Sequence, residues 1–360
     1  MSTFFIRNFG CRATQADAAS IRQSFLARGH SQTGLDSAAD LVVLNTCTVT
    51  AAADAEARDA IRRIHRKNPN ARIVVTGCYA QRAPEELAAI EGVAWVIGNS
   101  HQTEIPSLAG CEGLVSIADF AQHISPRAQI VREEMNAVKE VLVAPPEDFL
   151  GERTRPTLKI QDGCNHRCSY CVIPFVRGRS RSLSPDRVLA EIRRLVDSGV
   201  QEVVLSGIDL GSYGRELSPR TSLGDLIRRM LKESEIERLR FSSIEPMDVT
   251  QDFVDLVASN ERIAPHFHMP LQSGSDRVLH SMHRWYRTAH YARRVEIIHD
   301  RLPHAAAGAD VIAGFPSETE EDHRVTMDFI ERLPLAYLHV FSFSAREGTE
   351  ADKLAEAVDG

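Results

Sequence analysis

Three cysteines, Cys164, Cys168 and Cys171, stand in the stretch IQDGCNHRCSYCVIPFVRGRSRS (residues 160–182), separated by steps of four and three. Thiolates are soft ligands, and four of them close a structural zinc site or an iron–sulfur cluster. Three within one short loop can fold around a single centre. If that centre is a four-iron cluster, one iron is left to take an outside ligand, and the missing fourth cysteine marks a reactive position. A zinc ion completed by His166 is the alternative. Zinc ligand sets normally come as paired CxxC-like elements, and no second pair follows here.

Cys11, Cys47 and Cys78 are distant in sequence but alike in setting. Each ends a β-branched or aromatic run of strand length: TFFIRNFGC, DLVVLNTCTVT and ARIVVTGCYAQ. Alanine- and charge-rich helical segments follow at 15–29, 51–68 and 84–91, and VAWVIGN adds a further strand. Strands alternating with helices imply a parallel sheet with right-handed crossovers. The strand carboxyl ends of such a sheet share one edge, which would bring these cysteines together. A buried free thiol is the alternative for any one of them. Cys111, after Gly110, has no matching strand and reads as a spare thiol.

The elements that must position the loop cysteines lie further on. Six strand candidates succeed one another: TLKIQDGC, QEVVLSGID, RLRFSSIEP, HFHMPLQSG, AAAGADVIAGFP and AYLHVFSFS. Helical stretches such as 186–198 and 284–300 separate them. Six parallel strands with outer helices make a partial barrel, whose chemistry belongs at the strand carboxyl ends. The expected fold is therefore α/β, with an N-terminal parallel α/β domain (1–118), a linker (119–150) and a partial (β/α)6 barrel (151–360). His266 and His268 alternate on one strand, and His268 is expected to face the barrel interior rather than a metal.

With 43% hydrophobic and 25% charged residues among 360, the composition is that of an ordinary globular chain of two or three domains. No apolar run approaches the ~18 residues of a membrane span, and the first ten residues lack the pattern of a secretory signal. The expected location is cytoplasmic, where cysteines serve as thiols or metal ligands rather than disulfides. A net charge of −7 argues against a wholly basic coat but allows a local phosphate-binding patch. Arg177, Arg179 and Arg181 directly follow the cysteine loop, and Arg153 and Arg155 precede it. The first three leave the loop where an anionic substrate would enter and are expected to contact its phosphates, with a solvated surface as the alternative for such a charge run. Tyr170, Phe175 or Tyr213 could stack on an exposed base.

The CxxxCxxC loop at the end of a first barrel strand, with Tyr170 before its last cysteine, resembles the radical SAM enzymes. In that family S-adenosylmethionine chelates the open iron, and one electron from the cluster cleaves it to a 5′-deoxyadenosyl radical. Two cysteine triads on two α/β domains resemble the methylthiotransferases. FGCRATQAD, NTCTVTAAAD, TGCYAQ, SSIEP, PLQSGSDRVL and AGFPSETEED also look like pieces of that family, so the resemblance runs over nearly the whole chain. NTCTVT followed by alanine-rich sequence is most similar to the tRNA threonylcarbamoyladenosine branch.

The resemblance implies a tRNA-modifying enzyme that methylthiolates carbon 2 of N6-threonylcarbamoyladenosine beside the anticodon. It implies two [4Fe-4S] clusters, an auxiliary one on Cys11, Cys47 and Cys78 and the radical one on Cys164, Cys168 and Cys171. It also implies S-adenosyl-L-methionine as cofactor, the tRNA anticodon stem-loop as partner, and donors of electrons and sulfur. Tyr170, Ser206, Gly207, Glu245, Gln272 and Gly314 would line the cofactor pocket. Isopentenyladenosine tRNA and a ribosomal-protein aspartate are the alternative substrates, and a non-catalytic metal-binding RNA module is the alternative class. The sequence departs from the family at Thr14, where asparagine is frequent, and at Ser317, where glycine is common. The small RNA-binding β-barrel that follows in many relatives is expected to be absent.

Overall fold

A computed structural model of the chain describes residues 2–108, 128–138, 140–142 and 155–354. Cys111, Arg153 and much of the expected linker lie outside the described residues. The chain divides into two compact units, Met1–Asp148 with Phe175–Gly178, and Phe149–Pro174 with Arg179–Gly360.

The first unit is built on a six-stranded sheet in the order β2-β1-β3-β4-β5-β6. Its strands are β1 (Thr3–Asn8), β2 (Ser31–Gln32), β3 (Leu41–Thr46), β4 (Arg72–Gly77), β5 (Val93–Ile97) and β6 (Gln129–Val131). All neighbours pair in parallel. Gln129–Val131 falls in the stretch expected to be a linker and instead extends the sheet beside β5. The central strand β3 is buried along its whole length, as its unbroken Leu-Val-Val-Leu run requires when both sheet faces are covered.

Helix α1 (Arg12–Leu26) covers one face, packing Ile21 and Phe25 on Phe4, Val43 and Val74. Helix α2 (Ala51–Lys67) covers the other, with Ala57, Ala60, Ile61 and Ile64 against Val42, Leu44, Ile73 and Val75. The Thr50 hydroxyl accepts from the Ala53 amide and caps α2, and its last turn carries His65, Arg66 and Lys67. Both features favour a helix over this alanine-rich stretch. The register pairs Asn8 with Asn45 and Thr46 with Gly77. The carboxyl ends of β1, β3 and β4 are thus level, and a cysteine follows each.

The second unit contains all six expected barrel strands. β7 (Thr157–Lys159), β10 (Glu202–Ser206) and β11 (Arg238–Phe241) form one parallel sheet, and β12 (His266–His268), β13 (Ala306–Ala313) and β14 (Tyr337–Ser342) form another. A parallel bridge from Leu239 to Ile263 links the edge of β11 to the chain entering β12. Between β7 and β10, a short hairpin of β8 (Gln161–Asp162) and β9 (Arg181–Ser182) closes the base of the cysteine loop. The intervening helices are amphipathic. Leu223–Glu233, for example, buries Leu223, Leu226, Ile227 and Met230, the spacing of one helical face. Among the described residues no helix is long and apolar enough to cross a membrane.

Candidate metal centres

At the N-terminal sheet edge Cys47 and Cys78 are buried and Cys11 is exposed. Burial pushes the Cys47 thiol up to about 12, and the proximity of Cys78 and Cys11 adds to this. Cys78 is raised by burial too, opposed chiefly by the Arg177 guanidinium and raised further by Cys11. The three thiols thus stand near enough to one another for each to disfavour its neighbour's charge. The walls around them leave no slack. Gly10 (φ +110°) lies where a Cβ would come within 2.7 Å of the Cys47 Cβ, and at Gly77 (φ +97°) a Cβ would stand 2.3 Å from the Thr46 carbonyl. Both positions demand glycine on two counts, handedness and space. Thr14, in place of the family's frequent asparagine, is buried and donates its hydroxyl to the Cys11 carbonyl at 2.8 Å.

The loop cysteines likewise stand near one another. Cys164 is raised by burial first and then by the Asp209 carboxylate, with smaller contributions from Cys171 and Cys168. Burial pushes Cys171 up to about 12. Cys168 is raised by burial and drawn back by Arg284, whose Nη1 lies 3.1 Å from its Sγ. The same guanidinium pairs with Glu245 and lies over the rings of Trp285 and Tyr286 at 4.5 and 4.8 Å. His166 stacks on Trp285 at 3.7 Å between centroids, with Nε2 3.2 Å from Asp209 Oδ2. Gln161 ties the loop to the end of β10: its amide donates to the Gly163 carbonyl at 2.7 Å, and its oxygen accepts from the Asp209 amide at 2.8 Å.

The sulfur spacing distinguishes a cluster from a single ion. Four thiolates at the Zn–S length stand about 3.8 Å apart. Among the described residues, neither cysteine triad brings its three sulfurs within 4.8 Å of one another. The group that does converge near the loop is Cys164, His166 and Asp209, which would leave Cys168 and Cys171 unused by an ion. Asp209 Oδ1 and Arg284 Nε are buried without a hydrogen-bond partner among the described residues. Buried polar groups are rarely left so, and a charged group seated beside the loop fits them. Asn45 Oδ1 is in the same condition two residues before Cys47.

The residues expected to hold the cofactor stand at strand carboxyl ends. Ser206 closes β10 and Gly207 follows it; Gly314 follows β13; Glu245 and Gln272 lie in the loops after β11 and β12. The structure thus gathers their backbones on one rim of the second unit. Tyr170 packs edge-on to Phe315 at 6.4 Å and joins the cluster of Val278, Met282 and Ala351. Glu245 already has a partner in Arg284. Gln272 (φ +69°), Gly314 (φ +74°) and Ser317 (φ +70°) all lie in the left-handed region, which accounts for the glycine common at the last position.

The arginines differ from expectation. Arg179 alone of the three is exposed. Arg181 is buried, 3.4 Å from Asp162, and Arg177 is 1% exposed, paired with Asp17 inside the first unit. Neither is placed to meet a phosphate. Gly178, at φ +74°, breaks the strand-like alternation that would have put all three on one face. Arg155 pairs with Glu202 at 3.7 Å. Of the aromatics, Phe175 is exposed, whereas Tyr213 is fully buried and donates its hydroxyl to the Leu183 carbonyl.

His268 is buried, as expected of a residue facing the barrel interior. It joins Asp310 at 3.0 Å and Tyr337 at 3.1 Å, and His339 lies 3.2 Å from the same Asp310 oxygen. The ligand atoms of His268, Asp310 and His339 all lie within 4.8 Å of one another, a spacing that an ion could also bridge. Asn99 and Arg284 escaped sequence reasoning, because each stands far in sequence from the cysteine sulfur it meets.

A six-stranded parallel domain followed by a six-stranded partial barrel, with a CxxxCxxC loop at the first barrel strand, defines a radical SAM enzyme. Residues 158–330 match the Radical SAM superfamily, and residues 3–98 match "Uncharacterized protein family UPF0004". The chain is 38% identical to the "Threonylcarbamoyladenosine tRNA methylthiotransferase MtaB" of Aquifex aeolicus, over 96% of this chain and 81% of that protein. It is 36% identical to the protein of that name in Bacillus subtilis, over 100% and 77%. It is 31% identical to the "tRNA-2-methylthio-N(6)-dimethylallyladenosine synthase" of Clostridium tetani, over 99% and 77%. The radical S-adenosylmethionine methyltransferase TsrM of Kitasatospora setae shares the fold, with a TM-score of 0.63 at 15% identity over 94% of this chain and 73% of that one. The chain belongs to the radical SAM methylthiotransferase family. Membership brings S-adenosylmethionine and one [4Fe-4S] cluster with it.

Proposed function

We propose that this enzyme methylthiolates carbon 2 of N6-threonylcarbamoyladenosine next to the tRNA anticodon, using a [4Fe-4S] cluster on each cysteine triad. The observation that carries the reading is the pair of three-cysteine sites, each one ligand short of closure and each in its own unit. Four relatives named for the threonylcarbamoyladenosine substrate, at 35–38% identity, support that branch over the dimethylallyladenosine relatives at 30–33%. Electrons and sulfur come from donors outside the chain.

Cys164, Cys168 and Cys171 would hold the cluster that, with S-adenosylmethionine, supplies a carbon-centred radical able to remove a hydrogen atom from the adenine ring. The chain's own groups do the positioning. Arg284 donates to the Cys168 sulfur, and Gln161 fixes the loop entrance against the end of β10. Ser206, Gly207, Gln272 and Gly314 stand at the strand carboxyl ends, where barrels of this kind hold their ligands. Arg179 and Phe175, both exposed, are the retained candidates for RNA phosphate and base contacts.

The test is a division of labour. A folded Cys47→Ala enzyme, reduced anaerobically with S-adenosylmethionine and tRNA, should still form 5′-deoxyadenosine while yielding no methylthio product. Substantial methylthio-adenosine from that variant would refute the two-cluster reading. Nucleoside mass spectrometry of tRNA from cells lacking the protein decides the branch. Loss of the methylthio form of isopentenyladenosine instead of threonylcarbamoyladenosine would assign the other substrate.

A further inference from the structure

The largest of the fully buried side chains is a charged one. Arg177, from the four-residue segment that belongs to the first unit, is 1% exposed. Its Nη2 lies 2.8 Å from Oδ2 of Asp17, itself 0% exposed on α1, the helix that begins after Cys11. Its Nε lies 3.4 Å from the Cys78 sulfur at the end of β4. The segment is pinned in place. Asn99 donates to the Val176 carbonyl at 2.8 Å while its Nδ2 stands 3.6 Å from the same Cys78 sulfur. A Cβ at Gly178 would come within 2.7 Å of the Met135 carbonyl, so the chain passes with no room to spare.

Stability of the fold does not account for this arrangement. A buried ion pair replaced by apolar side chains of like volume is often neutral or stabilising. What apolar side chains could not supply is a charged N–H aimed at a sulfur, and charge-assisted donors are about twice as strong as neutral ones. Hydrogen bonds to cluster sulfurs set the reduction potential. Adding one electron makes a cluster more negative by one charge, so a cationic donor at a ligand sulfur favours the reduced form and raises the potential.

Resting on the two-cluster reading above, we propose that Arg177, held by Asp17, is a positioning residue that donates to the Cys78 thiolate and sets the potential of the N-terminal cluster. It does not touch RNA. Asp17 orients the guanidinium and tempers its charge.

The test uses the full-length chain with Cys164, Cys168 and Cys171 changed to alanine, so that one reconstituted cluster remains and its potential can be followed by EPR. Asp17→Asn should raise the potential, because the guanidinium loses its counter-charge. Adding Arg177→Met to Asp17→Asn avoids a lone buried carboxylate and should lower the reduced-to-oxidised ratio at fixed potential at least tenfold, 59 mV for one electron. Loss of iron from the folded double variant, with iron kept by Asp17→Asn alone, would be a stronger form of the same result. If the double variant does not fold, Arg177→Lys carries the test. It keeps the charge for Asp17 but withdraws the Nε donor, and its potential should fall. Unchanged potential with full iron, in the double variant or in Arg177→Lys, overturns the proposal. A parent chain that binds no iron would instead overturn the two-cluster reading beneath it.

Discussion

Replacing Arg284 by methionine tests how the loop site is supported. The side chain is 6% exposed, and its guanidinium pairs with Glu245, donates to the Cys168 sulfur and lies over Trp285 and Tyr286. Burial pushes the Glu245 carboxyl up, and Arg284 is the leading influence holding it down. Methionine fills much of the same volume but leaves that carboxylate without its partner. Removing one member of a buried pair costs about 3–5 kcal/mol. At roughly 2–4 °C per kcal/mol for a unit of this size, the melting temperature of the second unit should fall by about 10 °C. Changing Glu245 to glutamine in the same chain removes the stranded charge and should restore more than half of the loss. Near-ultraviolet circular dichroism during heating reports it, on the metal-free chain as well as the reconstituted one, so that cluster loss is separated from unfolding. A single variant within about 2 °C of the wild type would refute the buried-pair reasoning. A double variant as unstable as the single one would place the loss in the aromatic stacking instead.

Anaerobic reconstitution should give about eight irons per chain, and changing Cys164, Cys168 and Cys171 together to alanine should remove about half; unchanged iron would show that these are not ligands. Ser317, at φ +70°, is predicted to gain about 0.5–1 kcal/mol on change to glycine, read as a small rise in melting temperature, and a fall would refute the strain argument. Asp322 is held well below the usual carboxylate range by Arg277 and by the hydroxyls of Thr319 and Ser275. A depressed carboxyl stabilises the fold above its unfolded value near 3.9 and loses that contribution as pH falls through its folded one. Asp322→Asn should therefore be destabilised by about 1–2 kcal/mol at neutral pH, with the gap closing in acid. Urea titrations of the metal-free chain at pH 7 and pH 3 check this, and an equal gap at both would refute it.

The strands were legible because parallel strands covered on both faces are written as unbroken apolar runs, of which Leu41–Leu44 is the plainest. The six cysteines were legible because every one follows such a run or sits in one loop. β6 was not, since Gln129–Val131 is too short and too polar to stand out from its surroundings. Arg177, Arg179 and Arg181 misled for a definite reason. Alternation on an extended chain would present all three together, and the left-handed turn at Gly178 sends the first into the sheet domain and leaves only the second exposed. Arg284 and Asp209 could not be found at all from sequence, because burial and partner, not neighbours in the chain, give them their roles.

The two cysteine sites are specified at different levels of the structure, and that difference bears on how each is assembled. Cys164, Cys168 and Cys171 lie within one loop whose ends are clamped by the β8–β9 hairpin and by Gln161, so little chain entropy separates the ligands from one another. Cys11, Cys47 and Cys78 meet only because β1, β3 and β4 end level with one another in a finished parallel sheet. Bringing those strands together requires closing the long crossovers of α1 and α2 first, and non-local pairing of that kind is slow. The N-terminal site therefore cannot precede its domain. Its walls include the glycines at 10 and 77, where a Cβ has no room. These glycines make the site part of the sheet's own packing, so a side chain at either one would be felt in the fold.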